Sequence, residues 1–365
     1  MIILALAVLL QWYGSRCGLL LTDDSRNYIS ASLSFKSDRS FLSPDGTYFV
    51  YWPPLFPILL SMFSNAEGTM LLVNILLKLT IGGMIWLLAT RFIADEKLRL
   101  VCLLVAICGV HLTMVSVFLW SELFFIALLL LHILVALRLN YSAKTLIPII
   151  LTGALLCLQR SAGLLIVSAI TLWMLTDTTI PFVRRATSAL SYFIVSSCGV
   201  IIWMMYVRTL SDEFQLSAYG VLQAPFTNAS NVLSHIGELF LYSHGLIAAL
   251  VGLFVLVVSA IFLRRELQER SDLRLIALIA GVYIGGLCLF GRLAIHDLDR
   301  LLSPVVPLIY ILPFAAAGRY PKTLSARIKF IIIITAILWS VYPVLRSWQN
   351  VQSWQSQSCL SELHK

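Results

Sequence analysis

Adjacent carboxylates, Asp23 and Asp24, follow directly on an apolar segment and open a polar stretch that runs to Phe63. A carboxylate at a low-dielectric surface is a better proton acceptor than one in bulk water, and a like charge beside it strengthens the effect. The pair therefore suits a general base that takes a proton from an attacking hydroxyl. The same residues also suit a helix start, because Asp-Asp-Ser ahead of Tyr28-Ile29 would cap a short surface helix. The stretch closes on Tyr51-Trp52-Pro53-Pro54-Leu55-Phe56-Pro57, where three prolines fix the backbone beside large rings. Acids at one end and a rigid aromatic corner at the other mark a site rather than a linker.

Other isolated polar residues carry a chemical reading and a structural one. Arg160 and Arg300 sit beside apolar runs and suit a phosphate and the charge of a departing phosphate, or else simple snorkelling at a span end. Glu122 suits hydrogen bonds to a substrate's hydroxyls, or a first-turn acid on a helix capped by Ser121. Lys78 lies inside an apolar run, four residues after Asn74 and so on the same helix face. An ammonium there is costly and points either to a lipid phosphate or to a structural bond between helices. His296, next to Asp297, suits substrate binding or plain solvation.

The elements that must hold these residues are membrane spans. Of the 365 residues 59% are hydrophobic and only 12% charged, where a soluble domain carries about 25% charge. The mean hydropathy is +0.91. Apolar runs near 1–21, 69–91, 100–118, 122–138, 145–158, 162–177, 188–207, 245–263, 275–291, 302–317 and 328–345 predict eleven transmembrane helices in an all-α polytopic protein. The first reads as a retained span or signal anchor. The runs 145–158 and 162–177 are short enough to form one broken hairpin instead. A single transmembrane domain over 1–345 is expected, with outer segments at 22–68 and 208–244 and an outward-facing tail at 346–365.

The net charge is +8, yet the basic residues scatter through short loops, so no nucleic-acid partner is implied. Fifteen of the 26 Lys and Arg fall in or beside five short loops, including Arg184-Arg185 and Arg264-Arg265. That bias places these loops, and the N-terminus, on the cytoplasmic side. Asp23, Asp24, Glu122, Arg160 and Arg300 then all lie at outer span ends. No cytoplasmic loop is long enough for a nucleotide-binding domain, and neither G-x-G-x-x-G nor a P-loop occurs. A group transfer on the outer face needs a donor delivered by the membrane, and a polyprenyl-phosphate-linked group meets that need. The seven cysteines show no C-x-x-C spacing, so neither a disulfide nor zinc is expected.

Asp24-Ser25-x-x-Tyr28 followed by Trp52-Pro53-Pro54-Leu55-Phe56-Pro57 resembles the first outer loop of GT-C fold glycosyltransferases, the polyprenyl-phosphate-sugar-dependent enzymes of the protein mannosyltransferase and aminoarabinose transferase type. Trp120-Ser121-Glu122-Leu123-Phe124 is similar to their S-E-x-L-F. Arg160-Ser161-Ala162-Gly163 is similar to their R-x-x-G. Asp299-Arg300-Leu301 with Pro304 and Pro307 is similar to their E-R-Y-x-x-P-x-x-P. Phe56, Asp299 and Leu301 stand where Tyr, Glu and Tyr are commoner, and Ser25 where a second acid is usual. The resemblance implies a GT-C-like bundle whose outer first loop bears short juxtamembrane helices, with Asp24 rather than Asp23 as the catalytic acid. It implies Arg160 and Arg300 as candidates for the donor phosphate and Tyr28, Trp52 and Glu122 for the substrate; Lys78, from its intramembrane charge alone, is a further candidate for the phosphate, and His296, from its place beside Asp297, for the substrate.

The activity implied is inverting transfer of a sugar from a polyprenyl-phosphate carrier to a hydroxyl of a glycan, lipid or protein acceptor, at a periplasmic active site in a bacterial inner membrane. The family mixes metal-dependent and metal-free members, and too few ligands cluster here to expect a metal or other cofactor. A transporter or flippase of a lipid-linked or small polar substrate is the alternative. Such proteins usually carry internal repeats with paired broken helices, and no half-to-half repeat is evident.

Overall fold

The computed structural model describes residues 1–210, 225–290, 297–319 and 326–363. Among them every extended element is helical, and strand pairing is confined to two isolated bridges. The chain begins with α1 (Ile2–Gly14), then α2 (Asp23–Asp38) and α3 (Leu55–Ser61) in the first outer segment. There follow α4 (Ala66–Phe92), α5 (Glu96–Cys108), α6 (Val110–Val117), α7 (Glu122–Ala136), α8 (Ala143–Gln159), α9 (Gly163–Leu175) and α10 (Phe182–Leu210). The rest is α11 (Pro225–Glu238), α12 (Gly245–Glu269), α13 (Ser271–Phe290), α14 (Leu298–Leu302), α15 (Val306–Arg319) and α16 (Ala326–Leu363).

Six of these helices are long and apolar enough to cross a membrane, with α5 and α6 taken together, and five shorter apolar ones accompany them. Each of the eleven predicted spans holds one of these helices. The run 100–118 is broken at Gly109 into α5 and α6. The runs 145–158 and 162–177 are separate helices, since α8 packs on α10 while α9 packs on α13. At 27 residues α4 is about 40 Å long, enough to cross a hydrocarbon core of about 30 Å.

The core gathers around α5, α6 and α7, whose side chains are nearly all buried, whereas α12 and α16 turn large apolar residues outward. That inversion is how a bundle solvated by lipid presents itself. Glycines bring α11 and α12 into backbone contact. A Cβ at Gly237 would lie 1.8 Å from the Ala248 carbonyl oxygen, and one at Gly252 would lie 2.2 Å from that of Leu233.

The first outer segment has its own small core. Tyr28, Phe49, Phe56, Leu60 and Met70 pack together beneath Trp52, and the Trp203 indole N–H donates to the Trp52 carbonyl at 3.1 Å. The predicted aromatic and proline corner is therefore the hydrophobic floor on which α2 sits.

One expectation is overturned, where the two ends of the chain meet. The last helix continues to Leu363, and residues 346–363 lie along the start of the chain. Trp348 packs on Tyr13 at 4.9 Å, and the Ser358 hydroxyl donates to the Gly18 carbonyl at 3.0 Å. There Cys17 and Cys359, 342 residues apart, form a disulfide. None was expected, because spacing along the chain says nothing about cysteines brought together by the first and last helices.

Under oxidising purification, alkylation and mass spectrometry should find Cys17 and Cys359 protected until a reductant is added. Cys17→Ser should lower the melting temperature in lipid, in keeping with about 2–4 kcal/mol for a disulfide across a long loop. Two freely alkylated thiols at these positions would remove the link from the native protein.

Candidate functional site

A parallel bridge sets the geometry of the site. The Leu20 N–H donates to the Val117 carbonyl at 3.0 Å, and the Leu119 N–H donates to the Leu20 carbonyl at 3.0 Å. The chain leaving α1 and the chain leaving α6 are thus locked side by side, which places Thr22 to Asp24 next to Trp120 to Glu122. The Trp120 indole N–H seals the junction on the Thr22 hydroxyl at 2.8 Å. Thr22 also caps α2 in a reciprocal pair with Ser25. The predicted surface helix is present, with Thr22 rather than the Asp pair as its cap.

From this start Asp24 reaches Arg300 of α14, and the guanidinium bonds both the Asp24 and the Glu122 carboxylates. Arg160 approaches Glu122 at 2.5 Å and donates to the Ser121 hydroxyl at 3.0 Å. Two arginines and two carboxylates from four separate stretches thus form one charge-balanced cluster. Glu122 is its buried centre, at 1% exposure, while Asp24 keeps 24% of its side chain accessible. Ser121 does not cap α7 with its hydroxyl, which is taken by Arg160 and by Tyr28 at 3.1 Å. The Arg300 guanidinium lies 4.3 Å above the Trp120 ring, which fixes its plane. Two buried polar atoms in the cluster have no hydrogen-bond partner, Arg300 Nη2 and Glu122 Oε2.

Arg160 is placed by a tight corner between α8 and α9. A Cβ at Gly163 would fall 2.7 Å from the backbone of Leu156 and Cys157, so the R-x-x-G spacing is a packing requirement. The Gln159 amide fastens the same corner to the Ser121 carbonyl at 3.1 Å.

The structure does not bring every candidate here. Asp23 is almost fully exposed and pairs with Arg26 at 3.6 Å. Tyr28 is buried with its hydroxyl on Ser121, and burial pushes its phenol well above the usual range, so it supports the cluster from beneath as a neutral group. Trp52 packs on Tyr28 at 5.3 Å as part of the floor. His296 lies outside the described residues.

Lys78 has moved furthest from its expected place. It is fully buried against hydroxyls of α6, those of Thr113 at 3.4 Å and Ser116 at 3.3 Å. The Asn74 and Gln11 amides donate to the Ser116 carbonyl at 3.2 and 3.1 Å. This is the structural alternative, a polar knot that clamps α1, α4 and α6.

A second cluster, not singled out from sequence, holds α14 from its other side. The Asp299 carboxylate meets His235 of α11 at 2.8 Å and His111 of α6 at 3.2 Å. Asp299 adjoins Arg300, so these histidines fix the helix that aims the arginine. Burial would raise the Asp299 carboxyl, but His111 and His235 hold it well below its ordinary value. Burial would lower His235, but the Asp299 bond and charge and the Glu238 charge raise it above 6.5. The sequence signal for this cluster was faint, consisting of lone histidines with acids only at a distance.

Among the described residues no three His, Cys, Asp or Glu side chains are grouped to hold a metal ion. Asp24 and Glu122, the acids at the site, are both engaged by arginines.

No protein-family model matches the sequence, and no curated protein does. Solved structures do match. Oligosaccharyltransferase AglB from Archaeoglobus fulgidus, in complex with an inhibitory peptide and a dolichol-phosphate, superposes with a TM-score of 0.57 at 11% identity, covering 98% of this chain and 55% of AglB. ArnT from Cupriavidus metallidurans, bound to undecaprenyl phosphate, gives 0.56 at 14% identity, over 98% of this chain and 75% of ArnT. The fold is GT-C. A second Archaeoglobus fulgidus oligosaccharyltransferase structure, tethered to an acceptor peptide, gives 0.56 at 13% identity, over 98% of this chain and 55% of that one. The chain therefore spans about half the length of these oligosaccharyltransferases, as a GT-C helical body.

Removing Glu122 should damage folding more than removing Asp24. Glu122→Gln leaves the buried Arg160 without an acid partner and Arg300 with Asp24 alone, at a cost of about 3–5 kcal/mol, whereas Asp24→Asn changes a partly exposed group and should melt near wild type. Calorimetry in lipid nanodiscs compares them, and equal losses would contradict the burial order. The Asp299–His235 pair should be complete below the ordinary imidazole value and weaken as pH rises through the elevated one. Melting temperature should therefore fall as pH rises above the ordinary imidazole value in wild type but not in His235→Gln. Asp299→Asn should cost about 1.5–3 kcal/mol.

Proposed function

We propose that this chain is an inverting glycosyltransferase that moves a sugar from a polyprenyl-phosphate carrier to an acceptor hydroxyl on the extracytoplasmic face. The observation that carries the reading is the pairing of Asp24 with Arg300 at the mouth of the charge cluster, in a GT-C fold. The two carboxylates and two guanidiniums already balance, so an arriving phosphodiester must compete for an arginine. Arg300 has a buried nitrogen, Nη2, free of protein partners to meet it. As the phosphate takes up Arg300, Asp24 is released, and it is the more accessible of the two acids.

The freed Asp24 carboxylate then takes the proton of the acceptor hydroxyl. The oxygen attacks the anomeric carbon from the face opposite the phosphate, and the bond from that carbon to the phosphate oxygen breaks. Its electron pair leaves with the polyprenyl phosphate, whose new charge faces Arg300 and Arg160. A single displacement of this kind inverts the anomeric centre.

The disulfide supports the orientation. Thiols pair in oxidising compartments, and Cys17 lies on the segment that joins α1 to Asp24. This agrees with the basic loops being cytoplasmic and with an inner-membrane protein whose N-terminus is inside.

Membranes containing the protein, given a radiolabelled polyprenyl-phosphate-sugar pool, should transfer label to an acceptor. Asp24→Asn should reduce transfer by about 100-fold or more, the lower bound of what a general base typically contributes, while Asp23→Asn retains it. Label that never moves from any lipid-linked sugar would favour the transporter reading instead. Persistent transfer in Asp24→Asn would remove the base assignment.

A further inference from the structure

Between α2 and the loop that follows it lies a cavity of about 650 Å³, inside the range of about 300–1,000 Å³ typical of small-ligand sites. Its walls include Asn27, Ser43, Asp45, Thr47, Tyr48 and Tyr51, and the outer end of α10 closes one side at Leu210. Asn27 stands three residues after Asp24 on α2, so the two occupy neighbouring positions on one helix surface.

The opposite wall is a rigid hairpin. The Ser43 N–H donates to the Thr47 carbonyl at 2.8 Å, the Phe49 N–H donates to the Phe41 carbonyl at 2.9 Å, and Gly46 makes the turn at φ +83°. Phe49 is anchored in the floor under α2. The hairpin thus displays Tyr48 and Tyr51, 49% and 64% exposed, on a fixed platform.

The chemistry of this wall is specific. Tyrosine rings turned to an aqueous cleft offer flat apolar faces with a hydroxyl at the tip. Beside them stand an amide, two hydroxyls and a carboxylate, which together donate to and accept from a ring of hydroxyl groups. A pyranose has that pattern, with apolar C–H faces and an equatorial belt of hydroxyls. No Lys or Arg is among the described lining residues, and Asp45 is held in the ionised form by its hydrogen bonds from Thr47. A phosphate or carboxylate would be repelled here. An acyl chain would find about half of the wall polar.

Resting on the transferase reading above, we propose that this cavity is the acceptor subsite and that the acceptor is a carbohydrate, an uncharged or amine-bearing glycan whose terminal hydroxyl is presented to Asp24. Asn27 and the hairpin select it, and Asp24 activates it.

Binding is measured without turnover. Full-length Asp24→Asn protein in lipid nanodiscs is examined by saturation-transfer difference NMR with the methyl glycosides of glucose, galactose, mannose and N-acetylglucosamine, and with glucose 6-phosphate and a neutral tripeptide. At least one neutral glycoside should receive saturation, and the phosphate and the tripeptide should not. The signal should fall to background in Tyr48→Ala/Tyr51→Ala and in Asn27→Ala at unchanged melting temperature. No signal from any neutral glycoside overturns the proposal, as does a signal that survives these variants or a preference for glucose 6-phosphate or the tripeptide. Because the readout is binding, sugar held in the cavity without any transfer would sink the enzyme reading and leave the subsite standing. Transfer indifferent to Asn27, Tyr48 and Tyr51 would do the reverse.

Discussion

Everything at the outer end of this bundle depends on one buried carboxylate, Glu122, shared by two arginines from distant parts of the chain. Each charge would be prohibitive alone in a low-dielectric setting, and each is tolerable only because the others are in place. Arg160 brings the α8–α9 corner, Arg300 brings α14, and through Arg300 the same network reaches Asp24 on α2. The network is an assembly condition as well as a site, because four separate stretches must arrive together for any of them to be neutralised. One member, Asp24, is left accessible at the edge of the cluster.

The surrounding fold serves this condition with simple devices. A two-rung parallel bridge aligns the exits of α1 and α6, a glycine lets the α8–α9 corner close, and a pair of histidines grips the far side of α14. Asp299 and Arg300, adjacent in sequence, face different partners, so a five-residue helix acts as a bracket between two charged clusters. The lipid-facing helices contribute none of these bonds. Their exposed Leu, Ile, Val and Phe residues match the surrounding solvent instead.

Much of this architecture was legible in the sequence. Apolar runs of span length report the bundle because the bilayer imposes both length and composition on each helix. Asp24, Glu122, Arg160 and Arg300 stood out because charges at span ends are few, and the structure gathers all four. What they do to one another was not legible. Glu122 reads from sequence as a first-turn acid, and only the arrival of Arg160 and Arg300 makes it the centre. Lys78 misled for the converse reason, since spacing shows the cost of a buried ammonium but not the hydroxyls of Thr113 and Ser116 that satisfy it. Tyr28 and Trp52 follow the motif, yet they serve it from beneath, as packing. The cysteine pair was invisible because contact between the first and last helices leaves no trace in linear spacing.

That pair also bears on how the protein is made. Cys17 emerges from the ribosome long before Cys359, and 342 residues of intervening chain must be threaded and packed before the two thiols can meet. The covalent ring can close only around a finished bundle. A chain whose first and last helices have not met keeps Cys17 as a free thiol. The disulfide therefore reports that the first and last helices have met.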